Sequence, residues 1–591
     1  MVRLVVASGI TGALAAGALG LVSATARAGT NPPSAPPVAM CGSPALRGPT
    51  SPPSGAVVVT PGGTGLDILT LSHPAGTTFY LLSGVHTLGK AGSPGIYDQV
   101  IPKSGDVYIG APAAILDGQN VDHAAFTQQA ASVRIQYLTI QHFNQRGNEG
   151  VVNHDSGDDW IIDHTSIVAN HGAAMMAGAR QQVTYDCLAD NGQYGINGYQ
   201  LAGGITGMVI DHSEIARNNT DDWEKKQPGC GCSGGLKLWN TRSSRVTNDW
   251  IHDNNSAGIW VDGTNVDVTI QSNLIEGNHS EAVIYEISYN GVISGNTLRR
   301  NAIGKGRQFA ARNDNFPVGA IYISESGGDS RVTPGSPLID IHDNVFDNNW
   351  SGVTVWENAD RFCGSGELAT MCTLVNPGAN TATTCRAPAS DGSINVAPYY
   401  DDCRWKSQNV KVHNNTFTVD VSVVGLNCSN VYCARQAVFS NFGTYPSWSP
   451  YKATVVEQAI TFNQGNVWSN NTYNGAWQFM AHDTAQPLTF AAWQAAPYHQ
   501  DAGSGYNVAA PLTTTTTVFP TTTTISVAAP PSQVCLALQR LVQIPQFLLP
   551  RALLMRWLTL FGCTWRPPAG ATTVAPIPKP GRQLVAAGRP S

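Results

Sequence analysis

At 591 residues the chain is long enough for roughly four domains of about 150 residues each, or for one repetitive body. Charged residues are only 13% of it, about half the usual share, and 60 Gly with abundant Asn, Thr and Ser make a turn-dense, polar sequence that excludes coiled coils and helical bundles. With 34 basic against 40 acidic residues, a formal charge of −6 and no Lys/Arg run to track a phosphate backbone, nucleic acid is excluded as a partner.

The chain opens with Met1-Val2-Arg3, an apolar stretch from Leu4 to Val22, and Ala26-Arg27-Ala28. This order of charge, apolar core and small residues predicts a cleaved secretory signal over 1–28 and an extracellular protein. The stretch is too rich in Gly and Ala for a membrane anchor, so no stable span is expected after cleavage. All 12 Cys follow this segment, and an even number in an exported chain predicts disulfides. Candidate local pairs are Cys230 with Cys232 and members of the group Cys363, Cys372, Cys385, Cys403, Cys428 and Cys433; the spacing leaves connectivity open. No pair has zinc-finger spacing with a matching second pair, so no structural metal is expected.

Residues 29–55 are rich in Pro, Ser and Gly and read as a linker with a disulfide anchor at Cys41. The body runs over 56–508. A Thr/Pro tract follows over 509–533, with Thr513 to Thr517 and Thr521 to Thr524 flanking Pro520. Val534 to Trp565 is apolar but broken by Arg540, Pro545, Pro550, Arg551 and Arg556, which is wrong for a spanning helix. It reads as a small helical appendage closed by Cys535 and Cys563, with a membrane-surface role as the lesser alternative, before a disordered tail over 566–591.

Within the body, an apolar residue followed three positions later by Asn recurs at Ile167/Asn170, Leu188/Asn191, Ile215/Asn218, Ile251/Asn254, Ile275/Asn278, Leu298/Asn301 and Phe346/Asn349. The basic unit is roughly 22–24 residues, lengthened in places by insertions. Each unit holds short alternating strands, such as Val268-Thr269-Ile270 and Val292-Ile293-Ser294, and no sustained helical period. Such coils stack at about 4.8 Å with side-chain amides in register along the turn, so the predicted fold is an all-β parallel β-helix solenoid with inserted loops.

Ile101-Pro102-Lys103-Ser104-Gly105 and Ala114-Ile115-Leu116-Asp117-Gly118, followed by the Asn-bearing units, also resemble the right-handed parallel β-helix proteins of the pectin-lyase-like superfamily over about 56–480. The resemblance implies a right-handed helix. It leaves activity open, because the superfamily holds lyases, hydrolases, epimerases, phage tailspikes and adhesins. The paired-aspartate and Gly-His-Gly pattern of polygalacturonase-like hydrolases and a clear match to the tryptophan-bearing pectate lyase signatures are absent, so no catalytic set transfers by residue.

A small residue and a strand follow each Asn turn, and aligning the strands on Gly150, Gly172, Gly195, Gly235, Gly258, Ala282, Ala320 and Gly352 places positions one and three inside, two and four outside. Position two then presents Asn197, Lys237, Trp260, Ile284, Tyr322 and Thr354. Position four presents His154, Met176, Tyr199, Trp239, Asp262, Glu286, Ser324 and Trp356. A contiguous stripe of Trp and Tyr suits the faces of sugar rings, and the predicted partner is a polysaccharide, with the inserts at 219–234 and 358–407 as walls or, on the alternative reading, as cover for ordinary packing.

Asp262 and Glu286 fall on successive rungs, about 4.8 Å apart, where two carboxylates cannot both ionise freely. Such a pair suits a retaining glycoside hydrolase. Glu325 and Glu357, one position later on the next strands, are longer-range partners that would favour inversion. Lys237 supplies the lyase alternative as a base beside a uronate, with Ca²⁺ at Asp221, Asp222 and Glu224 in that case and no cofactor otherwise. Lys237 also lies in reach of Asp262, and a groove that is acidic apart from this lysine favours a neutral glycan. The third reading is a noncatalytic carbohydrate-binding or adhesion module. His154 with Asp155 offers a His/Asp pair, whereas His164 and His212 recur with the repeat and read as turn residues. A monomer is expected.

Overall fold

The computed structural model describes residues 31–89, 95–199, 204–227, 231–332, 337–358, 363, 381, 383–385, 393, 396–425, 428, 432–440 and 453–507. The expected signal, the Thr/Pro tract, the appendage with Cys535 and Cys563, and Cys230 and Cys372 lie outside them.

Three sheets of 15, 13 and 11 strands build the body, a typical coil adding one short strand to each, and the 11-stranded sheet begins only at Gly150–Val152. Pairing is parallel throughout the described ladders, except where Asp483–Leu488 closes the 11-stranded sheet antiparallel to Gln478–Ala481. A typical coil runs Ile161–Asp163, Ser166–Val168 and Ala173–Met176. Its strands are short because a single left-handed residue turns the chain at each corner: His164 here, Tyr185 and His212 in the coils that follow, all with φ between 53° and 57°. The recurring histidines are turn residues, as their spacing indicates. His164 and His212 are held by Asp163 and Asp211, and both rings stack on Tyr185 at 5.0 Å.

The apolar anchors of the repeat are direct partners in the 13-stranded sheet. Ile167 pairs with Leu188, then Ile215, Ile251, Ile275, Leu298, Phe346, Phe417 and Tyr473 follow in one row, all fully buried. The row swells to aromatics at the C-terminal end, where Phe346, Phe417 and Tyr473 stack at 4.3 and 5.0 Å. Helix Leu66–Ser72 packs at the N-terminal end, and Trp493 of helix Phe490–Gln494 lies against Trp468 and Phe479 at the other. Both ends of the stack are therefore shielded.

Next to that row the asparagines form the expected amide ladder. Each side-chain Nδ2 donates to the Oδ1 of the next coil, from Asn170 through Asn191, Asn218, Asn254, Asn278 and Asn301 to Asn349, at 2.9–3.1 Å. A second ladder lies two residues before each anchor: Thr165, Asp186, Ser213, Asp249, Asn273, Asn296, Asn344, Asn415 and Asn471. Its asparagines also donate back to the preceding coil, as Asn273 does to the Val246 carbonyl at 2.9 Å.

Asp186 and Asp249 occupy this second ladder as carboxyls. Both are fully buried, and the Oδ2 of each, at the place of an amide nitrogen, has no hydrogen-bond partner as an acceptor. Burial pushes both well above the usual carboxylate range. A protonated carboxyl donates where the amide would, whereas an ionised one faces a carbonyl. A carboxyl that is more basic folded than unfolded stabilises most below its unfolded value, near 4, and that contribution is lost as pH rises through the folded value. Stability should therefore fall from mildly acidic toward neutral pH. Asp249→Asn should flatten that slope and add about 1–3 kcal/mol at neutral pH, read by denaturant titration at several pH values; an unchanged slope would remove this role.

Within residues 31–55, read from composition as a linker, Met40 and Cys41 are fastened to the 13-stranded sheet and Pro49 to the 15-stranded one. Cys41 is disulfide-bonded to Cys187, the amides of Met40 and Cys41 donate to the Glu214 carboxylate at 2.8 and 2.9 Å, and Tyr80 donates to the Pro49 carbonyl. Cys385–Cys403 and Cys428–Cys433 are paired, and Cys232 and Cys363 are also disulfide-bonded. Among the described residues no helix is long and apolar enough to cross a membrane.

Candidate functional site

The outer face of the 11-stranded sheet carries the aligned strands. From Tyr194–Tyr199 through Gly234–Trp239, Ala257–Asp262, Val283–Glu286, Ile321–Ser324 and Val353–Glu357, the observed register is the one the glycines and alanines indicate. Tyr199 pairs with Trp239, Trp239 with Asp262, Asp262 with Glu286, Glu286 with Ser324 and Ser324 with Trp356. Asn197, Lys237, Trp260, Ile284, Tyr322 and Thr354 form the parallel row two residues back.

The two N-terminal rungs differ. Ala173, not Gly172, pairs with Gly150, and Met176 pairs with Asn197, so Met176 belongs to the other row and is buried. His154 lies past the end of its strand, outside the aromatic row, with its ring bonded to Asp155 at 2.8 Å. The small-residue marker fails here because Gly172 lies within the turn, where the Gln193 amide donates to its carbonyl, two residues before the position opposite Gly195.

The open part of the face is Tyr199, Trp239, Asp262 and Glu286. Tyr199 is 48% exposed and its ring lies 4.9 Å from that of Trp239, giving an aromatic shelf that leads to the two acids. Asp262 is ion-paired with Lys237 at 2.8 Å. The Lys237 ammonium also donates to the Gly231 carbonyl and lies 4.5 Å from the Trp260 ring centre. To act as a base, this lysine would have to give up those three contacts. Glu286 accepts the Trp260 indole N–H at 3.1 Å. Trp260 thus touches both halves of the acid pair, Glu286 directly and Asp262 through Lys237.

Beyond Glu286 the expected stripe is covered. Ser324 and Thr354 are fully buried, and Thr354 donates to the Pro317 carbonyl at 2.6 Å. Phe316 packs on Tyr322, Trp356 and Phe439 with ring centres 5.6–6.0 Å apart. Here the insert after helix Ile303–Ala311 fills the face, and Tyr322 and Trp356 contribute to packing. Asn197 is likewise covered, donating to the Asn148 carbonyl from beneath the 145–149 loop.

Glu325 and Glu357 do not reach the open face. The chain turns at Glu325, whose φ of 46° ends the outward alternation; its buried carboxylate accepts from Ser324 and the Asn358 amide. Glu357 is buried against Arg404, Gln464 and the Ser407 amide. Of the residues considered as Ca²⁺ ligands, Asp221 pairs with Lys226, Asp222 with Lys225, and Glu224 accepts from Ser233. No group of three or more His, Cys, Asp or Glu among the described residues is arranged to hold a metal ion.

A cleft of about 620 Å³ opens beside Glu286, which the sequence did not indicate. Trp260 and Ile284 form its floor, and the inserts carrying helices Trp223–Lys226 and Ile303–Ala311 form its two walls. Its position depends on how two non-repeating inserts fold back over the repeat, and neither carries a periodic signal.

Residues 149–336 match the family model described as a right handed beta helix region. With the three parallel sheets, this makes the chain a right-handed parallel β-helix protein. Similar solved structures include the A-module of the mannuronan C-5 epimerase AlgE4 of Azotobacter vinelandii, at 12% identity over 50% of this chain and 86% of that one, with TM-score 0.31. Others are the catalytic domain of a GH87 alpha-1,3-glucanase in complex with tetrasaccharides, at 12% identity over 78% and 67% with TM-score 0.41, and an alginate lyase from a Paenibacillus species, at 10% identity over 51% and 90% with TM-score 0.28. No curated protein matches the chain. None of these likenesses carries an activity or a substrate across.

Proposed function

We propose that this β-helix is a glycoside hydrolase that binds a neutral polysaccharide on the Tyr199–Trp239 shelf and cleaves it at Asp262 and Glu286. The observation that carries the reading is the direct pairing of the two carboxylates on neighbouring strands at the end of an exposed aromatic shelf. Two acids one rung apart suit double displacement, in which one attacks the anomeric carbon and the other protonates the departing oxygen. The Lys237 ammonium at 2.8 Å favours the carboxylate form of Asp262, which supports giving it the nucleophile's role. Glu286, whose carboxyl accepts the Trp260 indole N–H, is assigned the delivery of the proton. With residues 1–28 read as a cleaved signal, the enzyme acts outside the cell.

A polysaccharide panel that records both retention and released products tests this reading. The expected result is retention of a neutral glycan with release of new reducing ends and no ultraviolet absorbance from unsaturated uronates. Products with that absorbance and dependence on Lys237 would replace hydrolysis with elimination. Retention without any product on prolonged incubation would leave a binding module.

A further inference from the structure

The cleft beside Glu286 is closed along the solenoid axis on both sides. Toward the N-terminal coils it meets Asp222, Glu224 and Gly231; toward the C-terminal coils it meets Lys305, Gln308 and Phe309. Its back is the turn segment bearing Asn255, Ser256, His279 and Ser280. Gly306, inside the helix of the second wall, lies so close to Trp350 that a Cβ there would meet the indole at 2.2 Å, so this wall is packed down on the coil beneath it. The open sides face solvent and the strand positions of Asp262 and Glu286, two residues further along, about 7 Å away.

The face beyond Glu286 is roofed by Phe316 and Pro317, as described above. A polymer lying on the Tyr199–Trp239 shelf therefore cannot run straight on past the acids. It can only turn into the cleft, and a cleft closed in this way receives an end. The volume lies within the roughly 300–1,000 Å³ range of pockets that enclose a small ligand, which suits one or two sugar rings. Trp260 and Phe309 offer ring faces. The rim charges are largely matched: Asp222 pairs with Lys225, Lys305 with the buried Glu281 at 2.8 Å, and Arg312 lies 3.8 Å from Asp314. Such a rim suits an uncharged sugar.

Resting on the hydrolase reading above, we infer that the cleft is a terminal subsite and that the enzyme acts on the ends of a neutral glycan, releasing mono- or disaccharide units. Water enters as the second substrate: the glycosidic C–O bond breaks, the leaving oxygen takes a proton from Glu286, and water then resolves the glycosyl intermediate on Asp262, returning the proton to Glu286.

The test uses the whole mature chain with neutral hexose oligosaccharides of graded length, each offered free, reduced to the alditol at one end, and acetal-capped at the other. Products are separated by chromatography from the earliest time points, and binding is measured separately on Glu286→Gln. Asn255→Trp and Gln308→Trp fill the cleft from its back and from one wall, leaving Asp262 and Glu286 untouched. The expected result is a mono- or disaccharide product from the outset, binding lost on capping one end, and binding weakened at least about tenfold by both tryptophans. A ladder of intermediate lengths from the outset, or capped chains and filled clefts that bind as well as the originals, would overturn the terminal subsite while leaving the hydrolase standing. Absence of both binding and cleavage for every oligosaccharide would overturn the two together.

Discussion

Asp262→Asn and Glu286→Gln are each expected to lower glycan turnover by at least about a thousandfold while retaining binding and the folded state. The argument starts from geometry. The two residues are ladder partners, and the shelf formed by Tyr199 and Trp239 approaches from one side only. Glutamine at 286 keeps an oxygen that accepts the Trp260 indole N–H, so the local structure survives, but it has no proton to give a leaving oxygen. Asparagine at 262 keeps the side-chain shape and is too weak a nucleophile to form the glycosyl intermediate. Folding is expected to survive because asparagine keeps an oxygen that can accept from the Lys237 ammonium, which also donates to the Gly231 carbonyl. The two variants should separate by substrate: with an activated leaving group that needs no protonation, Glu286→Gln recovers its first step, whereas Asp262→Asn does not. Initial rates and binding constants for both variants, with circular dichroism as the folding control, measure this.

Asn254→Ala is expected to cost about 3–5 kcal/mol of stability. Asn254 accepts from both the amide and the side chain of Asn218 at 3.0 Å, and donates to Asn278 at 2.9 Å and to the Ile215 carbonyl at 3.1 Å. Alanine leaves the Asn218 amide and the Ile215 carbonyl buried without these partners, and each orphaned group costs about 1–3 kcal/mol. The neighbouring Asn255, exposed at the cleft, should tolerate alanine within about 0.5 kcal/mol. In a stacked-repeat molecule the damage should begin locally, so hydrogen exchange of the Asn218 amide is the sensitive readout alongside denaturant unfolding. Equal exchange in the two proteins would mean that the ladder ornaments the stack without holding it.

The parallel stack was legible because one spacing, apolar-x-x-Asn, reports two physical facts together: an inward side chain and an amide stacked on its neighbour. The row from Ile167 to Phe346 and the amides from Asn170 to Asn349 follow it coil by coil. The second ladder is harder to read in the sequence because its rungs mix Thr165, Asp186, Ser213 and Asp249 with asparagines. Its signal was present all the same, two residues before every anchor. Alternation placed Asp262 beside Glu286, since a strand of period two fixes orientation once a small residue marks its start. That marker failed at Gly172, which lies two residues before the position opposite Gly195 and so takes Met176 out of the row, and at Gly150, one residue early, where the strand ends before His154. Alternation also could not foresee cover. Thr354, Ser324 and Ile284 point outward from the sheet and are buried by inserts whose folding has no period, and Glu325 departs from the pattern because a left-handed corner begins at that residue. The cleft arises from the same non-repeating inserts.

The pairing of acids on neighbouring rungs is tested most directly by trapping the intermediate. The protein is incubated with a 2-deoxy-2-fluoro glycoside of the sugar it releases, carrying an activated leaving group, and its peptides are analysed by mass spectrometry. The account predicts one glycosyl addition, on the peptide containing Asp262, that forms in Glu286→Gln and not in Asp262→Asn. Addition to a different residue, or turnover of the natural glycan with inversion and no trapped adduct, would contradict it.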